Sequence, residues 1–160
     1  MAPRADGGGA VRLTVTGTAI VNGVISANSP TAYYSGAGGS VFLTAGSLTG
    51  SGAIQANACS GHLCMGGGGR VAVILTNAQE FGEVTIEAKP SIRTGGAISA
   101  GGGAGTVYLQ TKDQASGEGT LIVDGAASAY INATLISTNV RDAVVGTLVA
   151  SNSAILELGT

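Results

Sequence analysis

The only histidine of this chain stands between its only two cysteines, in the run Cys59-Ser60-Gly61-His62-Leu63-Cys64. Thiolates and an imidazole are donors that zinc prefers, but a structural zinc site wants four ligands. No third cysteine or second histidine exists to complete it. A disulfide between Cys59 and Cys64, closing a small loop flanked by glycine, is the favoured reading and suits an oxidising compartment. Two free thiols and a metal site are the alternatives. Any Ser-His-Asp or Cys-His catalytic site would have to use His62, which a Gly-rich loop between pairing cysteines serves badly.

The acids are few: Asp6, Glu80, Glu83, Glu87, Asp113, Glu118, Asp124, Asp142 and Glu157. Glycan cleavage needs an acid and a base held a few ångströms apart on one face. Glu83 and Glu87 lie an even number apart and could share a strand face, and Glu118 and Asp124 sit in the corresponding region of the next repeat. A solvated face that keeps a glycine-rich chain in solution explains the same residues. Carboxylates could also hold Ca²⁺, yet the G-G-x-G-x-D calcium repeat is absent. Tyr33 and Tyr34 could stack on sugar rings, or pack a loop down beside Pro30. Thr14, Thr16 and Thr18 form a T-x-T-x-T row of the kind an ice-binding face needs, but thirty residues on the chain reads Thr44, Gly46 and Leu48, so the row stops. No catalytic residue, no cofactor and no metal is expected.

What must position these residues is a sentence written four times: GGGAVRLTVTGTAIVNGVISAN (7–28), GAGGSVFLTAGSLTGSGAIQAN (36–57), GGGGRVAVILTNAQEFGEVTIEA (66–88) and GGGAGTVYLQTKDQASGEGTLIVDG (101–125). Each copy opens on glycines, continues as a V-x-L/V strand and closes on a strand of the form G-x-I/L-x-A. Val11, Val41, Val71 and Val107 are equivalent, at spacings of 30, 30 and 36. GTLVASN at 146–152 repeats the closing strand once more, exposing a worn fifth copy in 131–158. Gly23, Gly52, Gly119 and Gly146 mark the same turn in this alignment. A fixed period of this size signals stacked units, each burying its face against the next.

Composition agrees. Charged residues are 10% and aromatic ones 4%, while 28 of 160 residues are glycine, against roughly 25% charged and 7% glycine in an average domain. With 44% apolar residues the chain is not of the disordered class, and glycine without a G-X-Y period is not collagen. A net charge of −2 gives no footprint for nucleic acid. No apolar run is long enough to span a bilayer as a helix, and MAPRADGGGA lacks the apolar stretch of a signal peptide, so export would rest on a signal elsewhere.

The expected fold is therefore all-β: a right-handed parallel β-helix, or β-solenoid, of about five coils with Gly-rich turns. Residues 1–6 form a tail, and 7–160 form a single repeat domain with units near 7–35, 36–65, 66–100, 101–130 and 131–160. Handedness follows the general rule for parallel crossovers. Stacking would align Val11, Val41, Val71 and Val107 in one interior ladder, and Leu13, Leu43, Val73 and Leu109 in the next. An antiparallel β-sandwich of hairpins is the alternative, with GTVYLQTKDQASGEGTLIVDG reading as one hairpin; two Phe and no Trp would fill its core poorly.

GGSVFLTAGSLTGSGAIQAN (38–57), GGGGRVAV (66–73) and GAGTVYL (103–109) resemble the glycine-rich repeats of large secreted and cell-surface, adhesin-like bacterial proteins. That resemblance covers about three quarters of the chain. It implies a surface-associated β-solenoid and carries over no active-site residue. The expected function is non-catalytic: a structural or assembly protein of the cell surface or extracellular matrix. Ile155, Leu156 and Leu158 of the terminal SAILELGT should mediate head-to-tail contact with copies of the chain or with adjacent repeats of a longer parent. Surface glycans are a further partner under the alternative reading of a carbohydrate-binding or polysaccharide-degrading module, with Tyr33 and Tyr34 as contacts. Nucleic acid and membrane insertion are not expected.

Overall fold

The alternating V-x-L segments form the long strands: β1 (Ala10–Ile20), β3 (Ser40–Thr49), β5 (Arg70–Leu75) and β7 (Thr106–Gln110). The closing segments of the first three copies form short ones: β2 (Val24–Ser26), β4 (Ala53–Gln55) and β6 (Thr85–Glu87). The computed structural model describes residues 6–30, 36–59, 65–92, 101–126, 132–136 and 143–158, and no helix occurs among them.

β1, β3, β5 and β7 are parallel neighbours in one sheet, and β2, β4 and β6 in a second. The registers are those the repeat demands. Val11 stands beside Val41, Val41 beside Val71 and Val71 beside Val107; Leu13, Leu43, Val73 and Leu109 form the adjacent ladder. Across the core, Ile25, Ile54 and Ile86 stack likewise. Val41, Leu43, Val71, Val73 and Ile54 are fully buried, whereas Val11 and Leu13 of the first coil are only partly covered. A one-residue slip would turn every one of these side chains outward, so the apolar alternation fixes the register.

The glycines and the closing alanines belong to one device. A Cβ on Gly8 would lie 1.9 Å from the Ala27 carbonyl oxygen, on Gly38 2.0 Å from that of Ala56, and on Gly68 2.2 Å from that of Ala88. Each coil is thus so thin at this corner that its two backbones touch, and only glycine leaves the room. The same three carbonyls accept the N–H groups of Gly39, Gly69 and Gly105 from the next coil, at 2.8, 2.7 and 2.9 Å. In the fourth copy the corner position is Ala104.

Here the fourth copy departs from the others. Its closing segment, β8 (Thr120–Asp124), turns back antiparallel on β7, with Val107 opposite Ile122 and Leu109 opposite Thr120. It does not join the β2–β4–β6 sheet. Polar residues 111–118 build the reversal. Gln114 Oε1 accepts the Thr111 N–H at 2.8 Å, Glu118 accepts that of Ala115 at 2.9 Å, and Gly117 supplies a φ of +87°. Tyr108 Oη accepts the Gly119 N–H at 3.0 Å, and a Cβ on Gly119 would strike the Tyr108 ring. The sequence expectation that 101–125 repeats the earlier coil fails at this hairpin, because a tyrosine clamp and a polar turn fit a reversal better than a corner.

After the reversal a second parallel stack begins. β10 (Thr147–Ser151) pairs with β8 in the register that GTLIVDG and GTLVASN share, Leu148 beside Leu121. β11 (Leu156–Leu158) pairs in parallel with β9 (Thr134–Ile136). The six-stranded sheet therefore runs β1-β3-β5-β7-β8-β10, with its last two strands opposite in sense to the first four. Gly23 and Gly52 match one another, as do Gly119 and Gly146, but the two pairs lie in different stacks. The molecule is an all-β parallel β-solenoid of about four turns. The sandwich is overturned by its parallel registers.

A β-bulge refines the threonine row. Val15 pairs with Ala45 but Thr18 with Ser47, so Thr16 and Gly17 together oppose Gly46. Thr18 then shares a hydroxyl hydrogen bond of 2.8 Å with Ser47 rather than standing beside Leu48.

Candidate functional site

The acids considered as pairs lie on different elements, Glu83 and Glu118 in turns and Glu87 and Asp124 at strand ends. Glu87 ends β6 in the three-stranded sheet, while Asp124 ends β8 in the six-stranded one. Asp124 accepts hydrogen bonds from the Ala126 N–H and from Asn152 Nδ2, both at 2.8 Å. Glu118 holds its own turn, as described above, and Glu83 is exposed just before β6. Among the described residues no three His, Cys, Asp or Glu side chains gather at one point.

Glu87 instead joins a polar ladder at the corner after the second sheet. Its Oε1 accepts from Gln55 Nε2 and from Asn57 Nδ2, each at 2.8 Å, and Lys89 pairs with its other oxygen. Asn28 Oδ1 accepts the Asn57 N–H at 2.6 Å, and Asn57 Oδ1 accepts the Lys89 N–H at 2.7 Å. Each of the two asparagines thus completes the backbone of the coil beyond it. Burial opposes ionisation of Glu87, but the hydrogen bonds from Lys89, Asn57 and Gln55 and the Lys89 charge together hold its pKa below the usual 4.5.

Beside this ladder lies a groove of about 280 Å³, lined by Asn28, Ser29, Asn57, Lys89, Pro90 and Ser91 among others. Ser91 is buried there, and its hydroxyl has no hydrogen-bond partner among the described residues. Cys59 also borders the groove; it is buried and disulfide-bonded. Cys64, the partner expected for it, lies outside the described residues, as do His62, Tyr33 and Tyr34.

The remaining feature is the pair of open edges. β1 is bonded by β3 on one side and β10 by β8 on one side. Nothing among the described residues pairs with either outer edge. Apolar side chains crowd both ends: Ile20 and Val24 are 70% and 64% exposed at one, and Leu148, Val149 and Ile155 are 50%, 39% and 49% exposed at the other. Of the expected contact residues, Leu156 is half-buried, and it and Leu158 lie in β11, already paired with β9. Natural edge strands are usually blunted by charge, proline or a cover. β10 carries no charge and β1 only Arg12, whose guanidinium lies 5.3 Å from the centre of the Phe42 ring. No helix among the described residues is long and apolar enough to cross a membrane. Compared with protein-family models, curated proteins and solved structures, the chain matches none.

Proposed function

We propose that this chain is a non-catalytic structural component of the cell surface or extracellular matrix. It associates head-to-tail, with copies of itself or with adjacent coils of a longer parent, into a filament. The observation that carries the reading is the open edge at each end of the six-stranded sheet, with apolar side chains left uncovered there. Unpaired strand edges are templates for further pairing, and a heterologous contact of this kind propagates unless rotation closes it into a ring. The disulfide at Cys59 supports an oxidising location. Sedimentation and electron microscopy across a hundredfold concentration range test the proposal. Oligomers that grow with concentration into fibres are expected; a monomer throughout would sink it.

Glycan binding is a second reading, favoured by the groove where Asn28, Asn57 and Lys89 stack beside the buried Ser91 hydroxyl. Amides, hydroxyls and a cation are suitable partners for sugar hydroxyls and uronic carboxylates. A glycan array that stays blank removes this reading.

A further inference from the structure

We infer that the joint between copies is an antiparallel strand pairing, in which β10 of one copy adds to the outer edge of β1 of the next, with Arg12 opposite Ala150 and Thr14 opposite Leu148. The inference rests on the assembly reading above and specifies its contact. A uniform solenoid would grow by parallel addition of identical coils. This chain cannot do so, because its sheet changes sense between β7 and β8. Stacked in the same orientation, β10 of one copy runs against β1 of the next. A half-turn about the stacking axis would restore the parallel sense, but it would also exchange the two faces of the sheet and set Leu13 on the side opposite to Val149.

The backbone groups match. The Ser40 N–H bonds the Gly9 carbonyl. In a parallel ladder successive residues address alternate neighbours, so Val11 and Leu13 face β3 while Ala10, Arg12 and Thr14 turn their N–H and C=O groups outward. On β10, the Thr147 N–H bonds Gly119 O and the Ser151 C=O accepts from Gly125. Leu148 and Ala150 therefore face outward. Two outward residues on each strand, spaced two apart, can exchange N–H···O bonds as two antiparallel pairs.

The faces match too. Val11, Leu13 and Val15 point to the core, and Val149 shares the face of Ile122, which stands opposite Val107. The stated register sets Leu13 against Val149 on the core side and Thr14 against Leu148 outside. A shift by one residue would cross core with solvent. A shift by two would push β10 onto Gly9 at one end or into the bulge at Thr16 and Gly17 at the other. The stated register alone keeps all five residues of β10 on the regular segment 11–15.

Cysteine pairing reads the joint directly. Thr14→Cys protein is mixed with Leu148→Cys protein and oxidised with the native disulfide intact. Hydrogen-bonded antiparallel pairs have Cα atoms about 5.5 Å apart, within the span that a disulfide bridges. The expected product is the mixed dimer linked 14–148, in at least tenfold excess over 14–14 and 148–148 dimers on peptide mapping. A predominance of either like dimer, or a statistical mixture, overturns the inference. Thr14→Pro supplies an independent arm, because it deletes an N–H that the monomer does not use. Circular dichroism should be kept and assembly weakened at least tenfold. Fibres unaffected by Thr14→Pro would overturn this joint while leaving the assembly reading standing; a wild-type chain that never assembles would overturn both.

Discussion

At the scale of single residues the molecule uses its few charges to tie together polar side chains of stacked coils. Glu87 shows the logic. Its carboxylate gathers Gln55, Asn57 and Lys89 at the point where the corner of each coil must satisfy the next. Because its pKa is lowered on folding, the unfolded chain binds more protons in the window from the ordinary glutamate value downward. Its contribution is therefore complete above that window and lost as pH falls through the folded pKa. We expect Glu87→Gln to cost about 0.5–1 kcal/mol at neutral pH, the scale of a partly solvated pair, and the gap to close as pH falls through the folded pKa of Glu87. Thermal melts of both proteins from neutral to acid pH check this; a constant gap would show that the charge has no part. Of this ladder only the stacked asparagines were legible beforehand, since Asn28 and Asn57 close equivalent copies of the repeat. The sequence marks Glu87 as one of two acids two strand-steps apart, and only the stacking reveals that its neighbours are amides from preceding coils rather than Glu83.

Elements were more legible, because apolar alternation and glycine spacing determine register locally. Both interior ladders follow from the positions of Val11, Val41, Val71 and Val107. The β8 reversal was harder to see, since GTLIVDG satisfies the closing-strand pattern as well as a hairpin arm does. A discriminating signal existed in Ala104, which replaces the corner glycine of the earlier copies. Two predictions separate the devices. Gly38→Ala drives a methyl group into the Ala56 carbonyl and should cost at least about 3 kcal/mol, the upper range for overpacking. Gly17→Ala, with no atom within 4 Å of the added Cβ, should change stability by less than about 1 kcal/mol. Equal effects in denaturant titrations would mean that the glycine run is not there for close approach. Tyr108→Phe tests the clamp, since the hydroxyl accepts from Gly119 and donates to Gln110 Oε1 at 2.7 Å. A loss of about 1–2 kcal/mol is expected, and an unchanged midpoint would remove the tyrosine from the account of the reversal.

The whole molecule is two parallel stacks joined by one antiparallel seam, and stability in such an array is close to a sum of nearest-neighbour terms. The fully buried ladder side chains belong to β3, β4, β5 and β8, which have a strand on each side. β1 and β10 have one neighbour each, and β10 is exposed along nearly its whole length. Opening should therefore proceed inward from both ends rather than all at once. Amide hydrogen exchange on dilute, unassembled protein should show the slowest rates at Val41, Leu43, Val71 and Val73. Leu148 and Ala150, whose N–H groups face outward, should exchange at least a hundredfold faster. Raising the concentration into the assembled regime should then slow Arg12, Thr14, Leu148 and Ala150, because their outward amides become bonded across the joint. Val11 and Leu13 are already bonded to β3, so they should gain less. Protection that is uniform along the dilute chain would contradict the nearest-neighbour picture, and protection on assembly that appears at Val11 and Leu13 but not at Arg12 and Thr14 would place the joint on the wrong edge.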